Sequence, residues 1–218
     1  MSSDRRSGDP SSGPEPDLAA LVRERGSALL DGLEDHRPGS REHADGTASY
    51  AFAASVELGL DRRGADAIRE AARLHEIGKV YVPADVLAKS PEELAPEQQA
   101  LLGTHFALGA ELARGAGVPD QVCEWIRASA ERFDGDGPTG LGGERIPLQS
   151  RIARVACTCD AVLAAPPEPG GEAPLRRRDR AIAELSVAAG RELDPRVVEA
   201  LGAVLERAAS PRRPGDLA

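Results

Sequence analysis

Two adjacent residues, His75 and Glu76, place an imidazole beside a carboxylate, and Lys79 follows in the same segment, LHEIGKVYVP. Imidazole and carboxylate together are suitable ligands for Zn, Mn, Fe or Ni, and a nearby lysine can contact a phosphate. The chain contains only two lysines, Lys79 and Lys89, and uses arginine elsewhere. The segment therefore indicates a site that holds a metal and a phosphate. The alternative for Lys79 is a solvated cation at a helix C-terminus, where a positive charge is favourable.

The chain has four histidines, at positions 36, 43, 75 and 105. A single histidine of this kind is ordinarily a satisfied core or surface residue. Three of them, His43, His75 and His105, open or line the inward faces of successive predicted helices, and Glu76 adjoins one of them. Because a helical bundle can draw metal ligands from several helices, this pattern predicts a metal cluster.

Helical periodicity supplies the elements that position these side chains. Apolar residues recur at three- and four-residue spacing around each of the three histidines, and Gly78 ends the helix that carries His75. Aromatic residues make up only 3% of the chain, so alanine and the aliphatic residues must fill the core, which favours close-packed helices over sheets. The predicted fold class is all-α, with KVYVP as an extended connector and ERFDGDGPTGLGGERIP as a Gly-rich loop.

Composition divides the chain into four predicted parts. Residues 1–16 are rich in Ser, Gly, Pro and charge and are predicted to form a disordered tail. A short amphipathic helix is expected over 17–36, where it docks on the body of the protein or on a partner. The main helical domain is expected over 41–208, and 209–218 are expected to form a flexible tail.

The overall charge narrows the classes of partner. A formal net charge of −9 argues against binding to a nucleic acid duplex or an anionic membrane. The three cysteines, Cys123, Cys157 and Cys159, occur without a secretory segment, which predicts a reducing compartment. No apolar stretch is long enough to span a bilayer, so the predicted location is the cytoplasm.

Three segments, in this order, carry a family resemblance: LHEIGKVYVPADVLAKSPEELAPEQQALLGTHFALGAELA, then ERFDGDGPTGLGGERIPLQSRIARVACTCDAVL, then AGRELDPRVVEAL. Together they resemble the HD-GYP domain, a bacterial signalling branch of the HD phosphohydrolase superfamily that hydrolyses cyclic di-GMP. The resemblance extends from about residue 41 to 205 and implies an HD-domain-like helical bundle. It implies that His43, His75 and His105 are metal ligands and that Glu76 replaces the aspartate of the family. It also implies that Glu76 and Lys79 are catalytic, with Lys79 contacting the phosphate or a bridging hydroxide.

Several positions depart from the family pattern. Two adjacent histidines of the family fall on Ser129 and Ala130, and a later metal-binding aspartate falls on Cys157. Asp160 is retained, although its counterpart is usually structural. The name-giving Gly-Tyr-Pro motif is reduced to Gly137-Pro138.

These departures weaken the predicted two-metal site. The first metal position retains His43, His75 and Glu76, with Cys157 either as a thiolate ligand that suits Zn better than Mn or as a small buried helix residue. The second position retains only Glu76 and His105. We therefore expect at most one divalent ion, Mn, Fe or Zn, or none.

The Gly-rich loop is expected to form the rim of the ligand pocket, through Arg132, Asp134, Gly135, Gly137 and Pro138. The alternative for these residues is a turn built by Gly, Asp and Pro.

Two hypotheses remain open at this point. One is a divergent metal-dependent phosphodiesterase with weak or lost hydrolysis of a cyclic dinucleotide or another phosphoester. The other is a non-catalytic signalling module of the same fold that binds a ligand or a protein partner.

Overall fold

The computed structural model describes residues 17–165 and 174–209. Within this part of the chain, ten α-helices follow one another, and the β-structure is a single isolated bridge between Ala189 and Leu193. The prediction of an all-α bundle is confirmed. The helices are α1 Leu18–His36, α2 Ser40–Glu57, α3 Arg62–Arg73, α4 Ala84–Leu87, α5 Pro96–Gly103, α6 His105–Gly115, α7 Asp120–Ala128, α8 Leu148–Ala164, α9 Pro174–Ala188 and α10 Pro195–Ala209.

Short polar side chains cap the N-termini of helices α1 and α3. The Asp17 carboxylate accepts a hydrogen bond from Ala19 N at the beginning of α1, and Asp61 does the same for Gly64 N at the beginning of α3. Such caps satisfy backbone N–H groups that have no partner within the helix. A capping box is present at Ser90, with Ser90 N donating to Glu93 Oε2 at 2.9 Å.

Helix α2 lies at the centre of the bundle because it packs against α3 on one side and α8 on the other. One hydrophobic core joins α2, α3 and α8 to α9 and α10, and a second joins α1, α3, α6 and α7. Alanine fills much of the first core, including Ala51, Ala54, Ala72 and Ala156, all of which are fully buried. These small side chains allow close approach of the helices, as the low aromatic content predicts.

The segment around His75 differs from its prediction, because α3 ends at Arg73, before His75, and not at Gly78. Residues Ile77–Tyr81 form a 3-10 helix rather than an extended connector. The turn closes because Lys79 N donates to Glu76 O and Val82 N donates to Lys79 O, each at 2.9 Å. A β-carbon at Gly78 would lie 1.9 Å from His105 O and 2.5 Å from Gly109 N. Glycine therefore lets the backbone of this turn rest directly on α6.

The Gly-rich loop between α7 and α8 is organised around a buried carboxylate. Glu131 accepts hydrogen bonds from Thr139 N at 3.1 Å and Thr139 Oγ1 at 2.8 Å. Gly135 has φ +92°, a left-handed conformation that favours glycine. The loop is thus a defined structure, held from inside by Glu131.

Helix α1 contributes Val22, Leu30 and Leu33 to the buried core, and the division of the chain into parts stays a prediction. The tail predicted over 1–16 lies outside the described residues, as do residues 210–218 of the tail predicted over 209–218; Ala209 is the last residue of α10. None of the described helices is long and apolar enough to cross a lipid bilayer.

Candidate metal centre

Four side chains from separate elements meet between α2, α8 and the turn after α3. His43 comes from α2, Cys157 from α8, and His75 and Glu76 from the turn. Each offers one ligand atom, and these four atoms all lie within 4.8 Å of one another. His43 Nε2 lies 3.6 Å from Glu76 Oε2 and 3.5 Å from Cys157 Sγ. Two imidazoles, a carboxylate and a thiol at this spacing match the donor set of a tetrahedral zinc site.

The hydrogen bonds of the imidazoles fix which nitrogen faces the centre. His75 Nδ1 donates to Ala72 O at 2.6 Å, and its Nε2 is buried with no hydrogen-bond partner in the described structure. A proton on Nδ1 leaves a lone pair on Nε2, which is the tautomer that a metal ligand requires. A buried nitrogen without a partner is costly in a folded protein, so the site fits a cation at this position.

His43 is oriented in the same manner by Asp160. His43 Nδ1 donates to Asp160 Oδ2 at 2.6 Å, and its Nε2 is therefore free to face Glu76 and Cys157. Carboxylate–imidazole pairs of this kind fix the ring and raise its basicity as a ligand. Sequence reasoning assigned Asp160 no role in the site. Its position three residues after Cys157 puts both side chains on one face of α8, a signal that was present in the sequence.

Gly46 leaves the space that the Asp160 carboxylate occupies when it pairs with His43. It lies three residues after His43 on α2, and a β-carbon there would be 1.9 Å from Asp160 Oδ1 and 2.6 Å from Asp160 Cγ. Any side chain at this position would displace the carboxylate that orients His43. Nothing in the helical pattern of the sequence distinguishes Gly46 from an ordinary helix glycine.

The electrostatics of the cluster favour a neutral imidazole beside an ionised carboxylate. Burial lowers the pKa of His75 to about 4, so the ring is neutral at pH 7. Burial opposes ionisation of Glu76, but the facing charge of Lys79 holds the pKa of Glu76 well below its usual range. Lys79 Nζ donates to Glu76 Oε1, so the catalytic pair predicted from the sequence is in direct contact.

The thiol of Cys157 is protonated when no metal is bound. Burial and the nearby charge of Glu76 raise the pKa of Cys157 far above its ordinary value. Metal binding through Cys157 would therefore release a proton, as is usual for thiolate ligands. Cys157 is one of the four converging groups, and its role as a metal ligand stays a prediction.

His105 lies outside this four-residue group but has the same arrangement. Its Nδ1 donates to Leu102 O at 2.5 Å, and its Nε2 is buried without a partner in the described structure. Burial lowers the pKa of His105, so this ring is also held neutral. The ring stays close enough to Glu76 and Lys79 for both charges to affect its pKa.

The two positions where the resemblance places histidines hold small side chains. Ser129 is buried, and its hydroxyl donates to Trp125 O at 2.9 Å, while Ala130 offers no ligand atom. His36, the remaining histidine, lies apart from the cluster and donates through Nε2 to Val82 O at 2.9 Å. The group of four thus contains the ligands predicted for one ion.

Two of the predicted rim residues, Arg132 and Asp134, pair with each other. The Arg132 guanidinium donates to both oxygens of Asp134, at 3.1 and 2.6 Å, and also pairs with Glu192 at 3.0 Å. A β-carbon at Gly137 would lie 2.4 Å from Glu131 Oε2, and Pro138 is exposed. These contacts fix the shape of the loop, and their role in ligand binding stays a prediction.

Comparison with known proteins identifies the family of this chain. The family model for the HD domain matches residues 27–197. The cyclic di-GMP phosphodiesterase response regulator RpfG of Xanthomonas campestris pv. campestris is 35% identical over 187 residues, which cover 82% of this chain and 47% of that protein. The 3'3'-cGAMP-specific phosphodiesterase 2 of Vibrio cholerae is 31% identical over 190 residues, which cover 85% of this chain and 35% of that protein.

A solved structure gives the same assignment of fold. Bd1817, an HDG"Y"P protein from Bdellovibrio bacteriovorus, superposes with a TM-score of 0.64 at 18% identity, covering 87% of this chain and 62% of that chain. The chain spans less than half the length of the two curated relatives. It belongs to the HD domain family, in which its relatives are cyclic dinucleotide phosphodiesterases and its structural neighbours are HD-GYP-type proteins.

Proposed function

We propose that this chain is a divergent HD-GYP-type domain that binds one divalent metal ion and acts slowly on the phosphodiester of a cyclic dinucleotide. The observation that carries the proposal is the convergence of His43, His75, Glu76 and Cys157 within 4.8 Å, next to Lys79. The relatives named for cyclic di-GMP and 3'3'-cGAMP support this class of substrate.

The donor set supports zinc in preference to manganese. Thiolate and imidazole ligands suit Zn, whereas Mn prefers carboxylate and water oxygens. Cys157 takes the place that the family resemblance gives to an aspartate, and the thiol supplies the softest donor of the group. A bound ion of this kind would supply an activated water and polarise a phosphoryl oxygen.

The residues of the chain have separate roles in this proposal. Asp160 holds His43, and the Ala72 carbonyl holds His75, so both rings are positioned before any ligand arrives. Glu76 stays ionised in the metal-free protein because Lys79 faces it. Lys79 then supplies a positive charge for a phosphate oxygen. Hydrolysis adds water to phosphorus and breaks one ester bond, giving a linear dinucleotide.

The second candidate function is ligand binding without turnover. It is favoured by Ser129 and Ala130, which offer no imidazole for a second ion. Two ions clamp the attacking and leaving oxygens together, so a single ion is expected to reduce the rate by on the order of a thousandfold.

Metal content and turnover of the purified protein distinguish these outcomes. Elemental analysis should give about one ion per chain, and His75→Ala should abolish it. His36→Ala is the matched control, because His36 lies outside the cluster, and it should retain the ion. Chromatography of cyclic di-GMP and 3'3'-cGAMP reactions with Zn, Mn and Fe should then reveal a slow linear product. Binding of a cyclic dinucleotide without formation of a linear product would support ligand binding without turnover. Absence of bound metal would refute the proposed metal-dependent hydrolysis.

A further inference from the structure

The end of α1 lies against the start of α2, the helix that carries His43. The two oxygens of the Glu34 carboxylate accept hydrogen bonds from two different backbone groups there. Glu34 Oε1 accepts from Gly39 N at 3.0 Å, and Glu34 Oε2 accepts from Arg41 N at 2.8 Å. A residue of α1 therefore supplies the cap for the first turn of α2.

The first turn of α2 has no local side-chain cap. The residue at its N-cap position is Gly39, which has no side chain that could accept a hydrogen bond. N-cap positions ordinarily hold Ser, Thr, Asp or Asn, which supply this acceptor. The hydrogen bonds from Arg41 N and Gly39 N lower the pKa of Glu34 below its ordinary value. Glu34 is thus an ionised carboxylate at the N-terminus of α2, where a negative charge is favourable.

His43 is joined to this turn through its own backbone. His43 N donates to Gly39 O at 3.2 Å, so Gly39 contacts Glu34 through its N–H group and His43 through its carbonyl. Asp160 fixes the ring of His43 through Nδ1 at 2.6 Å, but that contact does not fix the backbone from which the ring extends. The ring and the backbone of His43 therefore have separate supports, which are Asp160 and Glu34.

We propose that Glu34 is a positioning residue for His43, because it holds the first turn of α2 in place and so keeps His43 Nε2 facing Glu76 and Cys157. His43 Nε2 lies 3.6 Å from Glu76 Oε2 and 3.5 Å from Cys157 Sγ. A zinc–nitrogen bond is about 2.0–2.1 Å long, so a shift of His43 by about 1 Å would be large against that length. The inference rests on the proposed function for the role of His43 as a ligand, but not for the hold of Glu34 on His43.

Two variants that each remove a helix cap test this role. Glu34→Ala removes the cap of α2. Asp17→Ala is the matched control, because it removes the cap of α1, where Asp17 Oδ1 accepts from Ala19 N at 3.1 Å at the opposite end of that helix from Glu34. Competition against a chelator gives the zinc affinity, and urea unfolding of the metal-free proteins gives the stability. Amide hydrogen exchange followed by NMR measures the opening of the His43 N–H bond.

Glu34→Ala should bind zinc about 10-fold more weakly, the lower end of the usual loss for a group that orients a metal ligand, and its His43 amide should exchange faster. Asp17→Ala should also be destabilised, but it should keep the zinc affinity and the exchange rate at His43. If Glu34→Ala is destabilised and binds zinc as tightly as the unmodified protein, Glu34 has only a structural role and the inference is wrong. An equal loss of zinc affinity in Asp17→Ala would also overturn it.

If Glu34→Ala does not fold, Glu34→Gln provides the same test, because its amide has one acceptor oxygen for two N–H groups. Unchanged zinc affinity and unchanged exchange at His43 in Glu34→Gln would overturn the inference. Hydrogen exchange in the metal-free protein separates this inference from the proposed function. Faster exchange at His43 in Glu34→Ala, in a protein that binds no zinc, would refute the proposed metal site and support the hold of Glu34 on His43.

Discussion

The substitution Gly46→Ala is expected to disable the metal centre without touching any ligand. The new β-carbon would lie 1.9 Å from Asp160 Oδ1, so the carboxylate must retreat by about 1.5 Å to reach ordinary van der Waals contact. This movement takes Asp160 Oδ2 out of hydrogen-bonding range of His43 Nδ1, from which it is now 2.6 Å away. His43 then loses the partner that fixes its tautomer and orientation.

Two magnitudes follow from this displacement. Loss of a carboxylate that hydrogen-bonds to a metal-binding histidine typically lowers metal affinity by about 10- to 100-fold. The lost hydrogen bond to a charged group costs about 1.5–3 kcal/mol of stability, and alanine in place of glycine within a helix returns about 1 kcal/mol. Gly46→Ala should therefore bind metal more weakly and be less stable by about 0.5–2 kcal/mol.

Gly202→Ala is the matched control on α10, because a β-carbon there meets no atom within 4 Å. That variant should keep the metal affinity and gain up to about 1 kcal/mol of stability. Competition against a chelator gives the metal affinity, and urea unfolding of the metal-free proteins gives the stability. If Gly46→Ala binds metal normally and is stabilised like Gly202→Ala, the argument that Gly46 accommodates Asp160 is wrong.

Three further predictions address other parts of the structure. The metal-free protein should lose about 3 kcal/mol of stability as pH falls from about 6.5 to about 4, because the unfolded chain takes up a proton on His75 that the folded protein excludes. Urea unfolding across this range measures the loss, and a free energy of unfolding that does not change with pH would contradict it. Cys157→Asp should shift metal preference from Zn toward Mn, as competition between the two ions measures, since an oxygen donor replaces sulfur; an unchanged preference would show that Cys157 does not ligate. Arg151→Met should destabilise the fold by about 3–5 kcal/mol, because it leaves the buried Asp194 carboxylate unpaired; a loss below about 1 kcal/mol in urea unfolding would contradict this.

The helical architecture could be predicted from the sequence because its causes are local. Apolar spacing and caps such as Ser90 lie within a few residues of the helices they define. The prediction of an extended connector after His75 was wrong because a contact with a segment distant in the sequence determines its conformation. The turn is 3-10 because Gly78 packs on the backbone of α6, a contact that the spacing of nearby residues does not reveal.

The types of the candidate ligands could be predicted from the sequence, but the residues that orient those ligands could not. The imidazoles and Glu76 are rare, recognisable groups at family spacing. The spacing of Asp160 and Cys157 places both on one face of α8. The partner of Asp160 across that helix is His43, 117 positions away, which helical periodicity does not identify.

The contact between Gly78 and Gly109 joins two backbones with no side chain between them. The 3-10 turn and α6 cannot slide past each other by exchanging rotamers, because neither glycine has a rotamer to exchange. We expect Lys79 and His105 to move as parts of one rigid unit when α6 is displaced. Amide hydrogen exchange should give similar opening rates for this turn and for the start of α6. A displacement of α6 from its outer face should therefore also displace the residues of the metal centre that the turn carries.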